Sequence, residues 1–232
     1  MKRILLKLSG EALANGKDDI YDNAFVDRVA CALKTLTDEG YEIAVVVGAG
    51  NIWRGRQGGE MDRVSADRMG MLATVINSIY LKEAIVRQGA AAEVMTAVPM
   101  PPFAEGYSSE AAVAALEAGK VVIFGAGLGI PFLSTDTAGA VRAAEIGADA
   151  MLMAKNVDYV YTDDPRKNPD AKKLLDVKAS EVLAMNLKAI DATATAFCLS
   201  GGMPVHVFGM TEPEDIIKAV KGEKRGTVIS AE

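Results

Sequence analysis

Lys7 stands near the end of a short apolar run, RILLKL (from Arg3), and is followed at once by Ser9 and Gly10. A lysine inside a run that reads as a buried strand costs desolvation unless an anion meets it. Two further glycine-rich stretches, GAGN (from Gly48) and GAGLGIP (from Gly125), also follow apolar runs. Turns of this kind offer backbone N–H groups and a helix N-terminus to an anion. One such turn says little, since tight connections need glycine anyway; three at the same edge of one sheet say more. Asp136 follows Thr135 at a predicted helix start, Arg54 lies just past the second turn, and Asp67 and Arg68 lie on the helix after it. Together these residues could perform phosphoryl transfer, which asks for positioned charge more than for covalent chemistry. A plainer reading stays open at each position. Lys7 could pair with a protein carboxylate or reach solvent, Asp136 could serve only as a cap that complements the helix dipole, and Arg54, Asp67 and Arg68 could be polar surface.

Several classes are disfavoured. No turn ends in the Gly-Lys-Ser/Thr of a phosphate loop, and no full G-x-G-x-x-G opens the chain. His206, the one histidine, lies in the predicted strand PVHVF, so a histidine metal site or a Ser-His-Asp triad has no material, and no metal ligands are assigned. The net charge of −6 comes without a basic stripe, which argues against a nucleic-acid partner. Cys31 and Cys198 read as buried thiols of a reducing compartment. No apolar run reaches the ~18 residues of a membrane helix, and Lys7 interrupts any signal-peptide core. The expectation is a cytoplasmic protein with no membrane contact.

These residues need elements to hold them. Predicted strands RILLKL, EIAVVV (from Glu42), AAEVMT (from Ala91), KVVIF (from Lys120), ADAMLMA (from Ala148), PVHVF and GTVIS (from Gly226) alternate with helices. The helices are expected from Asn23 to about Glu39, from Ser65 to about Gln88, from Ser108 to Gly119 and from Thr135 to Gly147. Others are expected from Ser180, from about Lys188 to Leu199, and from near Glu212 with Thr211 as cap. Asn23, Ser108 and Thr135 are read as caps. EIAVVV is nearly continuously apolar, as a parallel strand covered on both faces requires. The expectation is α/β: a three-layer α/β/α sandwich with a mostly parallel central sheet, whose ligands gather at the carboxyl ends of the strands. The composition, with 232 residues and 22 glycines, suits one such domain. The polar stretches Arg54–Asp62 and Asp163–Lys173 are expected to be mobile.

The stretches KRILLKLSGEAL, VVVGAGNIWRG, ADRMGMLATVIN, PFLSTDTAGAVRAAEIGADAMLMAK, VDYVYTDDPRKNP and GEKRGTVIS, in this order, span nearly the whole chain. In them the sequence resembles the bacterial uridylate kinases (UMP kinases) of the amino acid kinase family. The opening, STDTA and DP motifs are shared across the wider family; the pairing of GNIWRG with DRMGMLAT is selective for uridylate kinases. The resemblance implies a single amino acid kinase-like domain over 1–232, its UMP-binding part roughly 1–150 and its ATP-binding part roughly 151–232. It implies transfer of a phosphoryl group from ATP to UMP, with Mg²⁺ arriving on ATP. Lys7, Asp136 and Arg54 would be catalytic. ATP would be held by Lys7, Leu8, Ser9, Gly10, Gly50, Arg54, Lys155, Asn156, Tyr161 and Asp164. UMP would be held by Ala49, Asp67 and the turn Leu128, Gly129, Ile130, Pro131, Phe132, Leu133, Ser134 and Thr135. Under this resemblance the anion that meets Lys7 is a substrate phosphate. A homohexamer, inhibition by UTP and a response to GTP are also implied.

The chain departs from family patterns in places. Gly48-Ala49-Gly50 replaces three glycines, and Leu128-Gly129-Ile130-Pro131 replaces a Thr-Gly-Asn-Pro turn, so uracil recognition there would rest on backbone groups. ALANGKDDIYD (from Ala12) departs from the Gly-rich pattern tied to GTP, and Tyr159 stands where glycine is usual. The alternatives are a kinase of the same fold acting on a carboxylate or carbamate, and a nucleotide sensor that binds without turnover.

Overall fold

Alternation along strand β1 (Arg3–Leu8) sets the layout. Ile4, Leu6 and Leu8 enter one hydrophobic core and Leu5 enters another on the opposite face. A strand can do this only when both of its faces are covered. Period two then sends Lys7 to the same face as Leu5. The computed structural model describes residues 2–53, 59–165, 167–187, 189–223 and 225–231.

Along the chain β1 is followed by α1 (Gly10–Ala14), α2 (Asn23–Asp38), β2 (Glu42–Val47), α3 (Arg63–Arg87), β3 (Ala92–Thr96), β4 (Glu105–Gly106), α4 (Ser109–Glu117) and β5 (Val121–Gly125). Then come α5 (Thr135–Glu145), β6 (Ala150–Lys155), β7 (Val160–Tyr161), β8 (Lys173–Leu174), β9 (Asp176–Lys178), α6 (Ala179–Ala184), α7 (Ala192–Gly201), β10 (Val205–Gly209), α8 (Glu214–Val220) and β11 (Thr227–Ser230). Nine strands form one sheet in the order β4-β3-β5-β2-β1-β6-β10-β11-β9. Every neighbouring pair in it is parallel except β10 with β11. β7 and β8 make a separate antiparallel ribbon.

One helical layer is α2, α3 and α8, whose Val29, Leu33, Leu81, Ile85 and Ile216 pack with Ile4, Val45 and Leu152 of the sheet. The other is α4, α5, α6 and α7, whose Leu116, Ala140, Val182 and Cys198 pack with Leu5, Val46 and Met153. This is the expected three-layer α/β/α sandwich. Because β1, β2, β5 and β6 run parallel, their carboxyl ends, and the turns after them, open on one edge.

Several local expectations need correction. Asp22, not Asn23, caps α2, and Ser134, not Thr135, caps α5. In both cases the neighbouring residue is also cap-competent, so sequence alone leaves a one-residue ambiguity. α7 begins at Ala192, capped by Asp191, rather than near position 188. Pro213, rather than Thr211, is the N-cap residue of α8. Cys31 lies on an exposed face of α2, so only Cys198 is a buried thiol; burial pushes the Cys198 thiol up to about 11. By length and hydropathy α3 could cross a membrane, which the run-length reading did not anticipate. Its Ala73, Val75, Leu81 and Ile85 are instead buried in the protein.

Candidate active site

At the C-terminal end of β1 the Lys7 ammonium lies 2.7 Å from Asp136 Oδ1. Lys155, the last residue of β6, donates to Asp136 Oδ2 at 2.8 Å. One carboxylate thus holds two ammonium groups from adjacent strands. The anion facing Lys7 here is this carboxylate, the protein partner that the sequence leaves open beside a substrate phosphate. Lys7 and Asp136 are 6% and 9% exposed, so solvent screens this cluster weakly. Burial pushes the Asp136 carboxyl up, but Lys7 and Lys155 overcome it and hold the group below the usual carboxylate range. Burial and the nearby Lys7 charge pull the Lys155 ammonium below the usual lysine range.

Asp136 is placed by its helix. Ser134 Oγ accepts from the N–H groups of Asp136 at 3.0 Å and Thr137 at 3.1 Å. Ser134 in turn donates to Asp191, which also accepts from Thr137 Oγ1 at 3.1 Å and from Ala194 N at 2.8 Å. The cap of α7 therefore clasps the cap of α5. The sequence reading assigned Asp191 no role because it expected that residue inside a helix.

Two glycine turns close the other wall. A side chain at Gly10 would place Cβ 2.5 Å from Asn51 Oδ1 and 2.7 Å from both Gly48 O and Gly50 N. The turns after β1 and β2 therefore touch backbone to backbone, which requires glycine at this point. They border a cavity of about 390 Å³ with Lys7, Ser9, Gly50, Thr135, Lys155 and Asn156 in its walls. Leu8 is not in these walls: its side chain is fully buried in the core and its carbonyl accepts from Gly48 N.

The central cavity continues in two directions. Through Ala49 and Thr135 it meets a pocket of about 150 Å³ bounded by Trp53, Asp67, Thr74, Leu128, Ile130, Leu133 and Ser134. Gly129, Pro131 and Phe132 are not in its walls. Gly129 adopts φ +72° and backs onto Ala97 and Val98, while Phe132 is 65% exposed. Asp67 accepts from Phe132 N at 2.8 Å and from Arg63 Nε at 2.9 Å, so its carboxylate anchors the turn. Through Lys155 and Asn156 the central cavity meets a larger one of about 600 Å³, lined by Tyr159, Tyr161, Pro165, Gly209 and Met210 among others. Tyr161 donates to Asp158 at 2.8 Å, and Lys173 Nζ stands 4.4 Å from the Tyr159 ring centroid. Asp164 does not line this cavity; its carbonyl accepts from Lys167 N and Asn168 N in the adjoining turn. Arg54 lies outside the described residues.

The arrangement is a cleft with a pocket at each end and a cation–carboxylate–cation cluster at its waist. Such a waist can neutralise charge spread over a group passing between two bound molecules. Among the described residues no group of three or more His, Cys, Asp or Glu side chains gathers as a metal site.

Comparison with known proteins agrees with this architecture. Residues 2–209 match the model of the amino acid kinase family. The structure is similar to that of UMP kinase from Bacillus anthracis, with 37% sequence identity, a TM-score of 0.95, and coverage of 100% of this chain and 96% of that one. It is also similar to UMP kinase from Ureaplasma parvum, with 35% identity, a TM-score of 0.92, and coverage of 99% and 98%. Uridylate kinase from Archaeoglobus fulgidus aligns at 26% identity and a TM-score of 0.76 over 99% of this chain and 100% of that one. The chain belongs to the amino acid kinase family.

Proposed function

We propose that this protein transfers the γ-phosphoryl group of ATP to UMP, giving UDP and ADP. The observation that carries the reading is the cleft itself, a small pocket and a large one joined at a waist that holds Lys7, Asp136 and Lys155. The 37% identity with a UMP kinase across the whole chain favours UMP over a carboxylate or carbamate acceptor. ATP occupies the large cavity, with its base near Tyr161 and Asn156 and its phosphates on Ser9, Gly10 and Gly50. UMP occupies the small pocket between Asp67 and the Leu128–Thr135 turn.

In the reaction a phosphate oxygen of UMP attacks the γ-phosphorus, that O–P bond forms, and the bond to the β–γ bridging oxygen breaks. The UMP phosphate is largely a dianion near neutral pH, since such a group has its second pKa at about 6. No protein base is needed to activate it. Lys7 and Lys155 face the charge that spreads over the transferring group, and Asp136 keeps both ammonium groups aimed at it. Both Asp136 oxygens are engaged by lysines, so the residues present fit a Mg²⁺ carried on phosphate oxygens and water rather than one held in an acidic cage. Arg54 adds a further cation to the phosphates. The exposed apolar residues Met69, Leu72 and Ile76 on one face of α3 support self-association, for which a homohexamer is the assembly we propose. UTP inhibition, a GTP response, a place in pyrimidine nucleotide synthesis and a cytoplasmic location belong to the same reading.

The test is ADP release from MgATP with UMP, CMP, dUMP, acetylglutamate, aspartate and carbamate as acceptors. Strong preference for UMP supports the proposal. Turnover on an amino acid or carbamate without UMP overturns the acceptor, and bound nucleotide with no turnover favours a sensor.

A further inference from the structure

Asn77 lies in the interior of α3, in the stretch TVINSIYL, and is fully buried. A buried amide must satisfy two N–H donors and a carbonyl or cost stability. Here every valence is used. Asn77 Nδ2 donates to Gly48 O at 2.7 Å and to Asn51 Oδ1 at 2.8 Å. Asn77 Oδ1 accepts from Tyr21 Oη at 2.8 Å and from Asn51 Nδ2 at 3.1 Å. The Gly48 carbonyl can only accept, so the amide has one orientation. Asn51 Nδ2 donates onward to Ile20 O at 2.9 Å, and the Tyr21 ring stacks on Tyr80 of α3 with centroids 3.7 Å apart. Burial, with the neighbouring Tyr80, pushes the Tyr21 hydroxyl up to about 12, so it remains a donor.

Thr74 and Asp67, two other polar side chains of α3, also reach loops at the cleft. Thr74 Oγ1 accepts from Ala126 N at 2.9 Å in the turn after β5, and Asp67 accepts from Phe132 N at 2.8 Å. Positions 67, 74 and 77 fall on one side of a helix. A helix is stiff, so it fixes the spacing of whatever its side chains hold.

We propose that Asn77 is a positioning residue for phosphoryl transfer: its amide pins the Gly48–Asn51 turn against the Ser9–Gly10 turn and, with Thr74 and Asp67, makes α3 the gauge that spaces the loops of the cleft. This rests on the functional reading above. The packing leaves little slack, since even a Cβ at Gly10 would fall 2.7 Å from Gly48 O and Gly50 N. A turn released from Asn77 moves the N–H groups that face the phosphates.

Asn77→Ala, Asn51→Ala, the double variant and Tyr21→Phe test this. For Asn77→Ala turnover on UMP should fall by at least ~10-fold, as displacement of positioned groups does, with a smaller change in KM. Amide exchange at residues 48–52 should quicken by at least ~10-fold while β1 and β6 keep their protection. The double variant should be no slower than Asn77→Ala alone, because both remove one linkage. Tyr21→Phe, which leaves the contacts to the turn intact, should stay close to wild type. If Asn77→Ala does not fold, Asn51→Ala, at the half-buried end of the pair, carries the same readouts. Turnover within ~2-fold of wild type, or exchange raised evenly through the fold with none at the turn in particular, overturns the proposal. A wild type inactive on UMP sinks the functional reading, and the exchange measurement still decides whether Asn77 holds the turn.

Discussion

Asp136 is a carboxylate kept ionised by two cations rather than by solvent, and that makes its removal more damaging than the loss of a surface pair. Asp136→Asn leaves the Lys7 and Lys155 ammonium groups close together without the carboxylate that holds both; Lys7→Ala removes the cation that emerges from β1. Each variant should fold and lose turnover on UMP by at least ~10²-fold, the usual cost of losing a transition-state electrostatic partner. Steady-state kinetics beside a thermal melt checks this, and near-normal turnover in either would refute the assigned role. The pH dependence follows from the direction of the shifts. Asp136 is held below the usual carboxylate range, so it stays charged as pH falls through ordinary assay conditions. An acid limb should instead follow the UMP phosphate near pH ~6. Lys155 is held below the usual lysine range by burial and by Lys7. It therefore loses its proton at lower pH than a free lysine, near ~10.4, and turnover should decline early on the alkaline side. Lys155→Arg keeps its charge throughout. Its kcat profile, whatever the absolute rate, should show that alkaline limb displaced upward and the acid limb unmoved. An unmoved alkaline limb would assign it to another group.

At the level of elements the cleft depends on turns that meet without side chains between them. Gly10→Ala would put Cβ within 2.7 Å of backbone atoms of Gly48 and Gly50, and backbone cannot swing aside as a flexible side chain can. The expected result is a loss of stability of about 1–3 kcal/mol from overpacking together with a large drop in kcat, read by a melt and by kinetics; full activity would mean that the two turns can separate freely. The same elements show what the sequence could tell. Strands and glycine turns were legible because period-two burial and turn chemistry are local. Lys7 and Asp136 stood out because each sits where a local rule is strained or used, a lysine in an apolar strand and a carboxylate at a helix start. The contact of Lys155 with Asp136 was not legible: β6 joins β1 only after the chain has crossed the sheet, and no local pattern encodes that neighbour. Nothing local marks Asn77, whose partners Gly48 and Asn51 lie on a turn far away in sequence, and Asp191 was hidden by a helix boundary placed about one turn too early. The caps Asp22 and Ser134 were missed by a single residue because their neighbours could have done the same work.

The whole molecule is covered by helices on both faces of its sheet, yet one face of α3 remains apolar and open. Met69, Leu72 and Ile76 are 40%, 52% and 52% exposed, and their spacing of three and four residues puts them in one stripe. Their helix also carries Asp67, Thr74 and Asn77 toward the cleft on its other side. A contiguous apolar stripe on a stiff helix is the kind of surface that a second copy of the chain covers. The expected behaviour is sedimentation well above the monomer mass at micromolar concentration. Replacing Leu72 and Ile76 together by Asp should shift the protein to monomer, because a charge buried in such a contact loses its hydration without a partner. Both side chains point away from the core, so the monomer should keep its melting cooperativity. Since α3 also spaces the loops of the cleft, the monomer should turn over UMP more slowly than the assembly, with amide exchange at the Gly48–Asn51 turn faster. A wild type that sediments as a monomer would remove the assembly from the proposal. A monomeric variant with full turnover would show that α3 holds the cleft without help from a second copy.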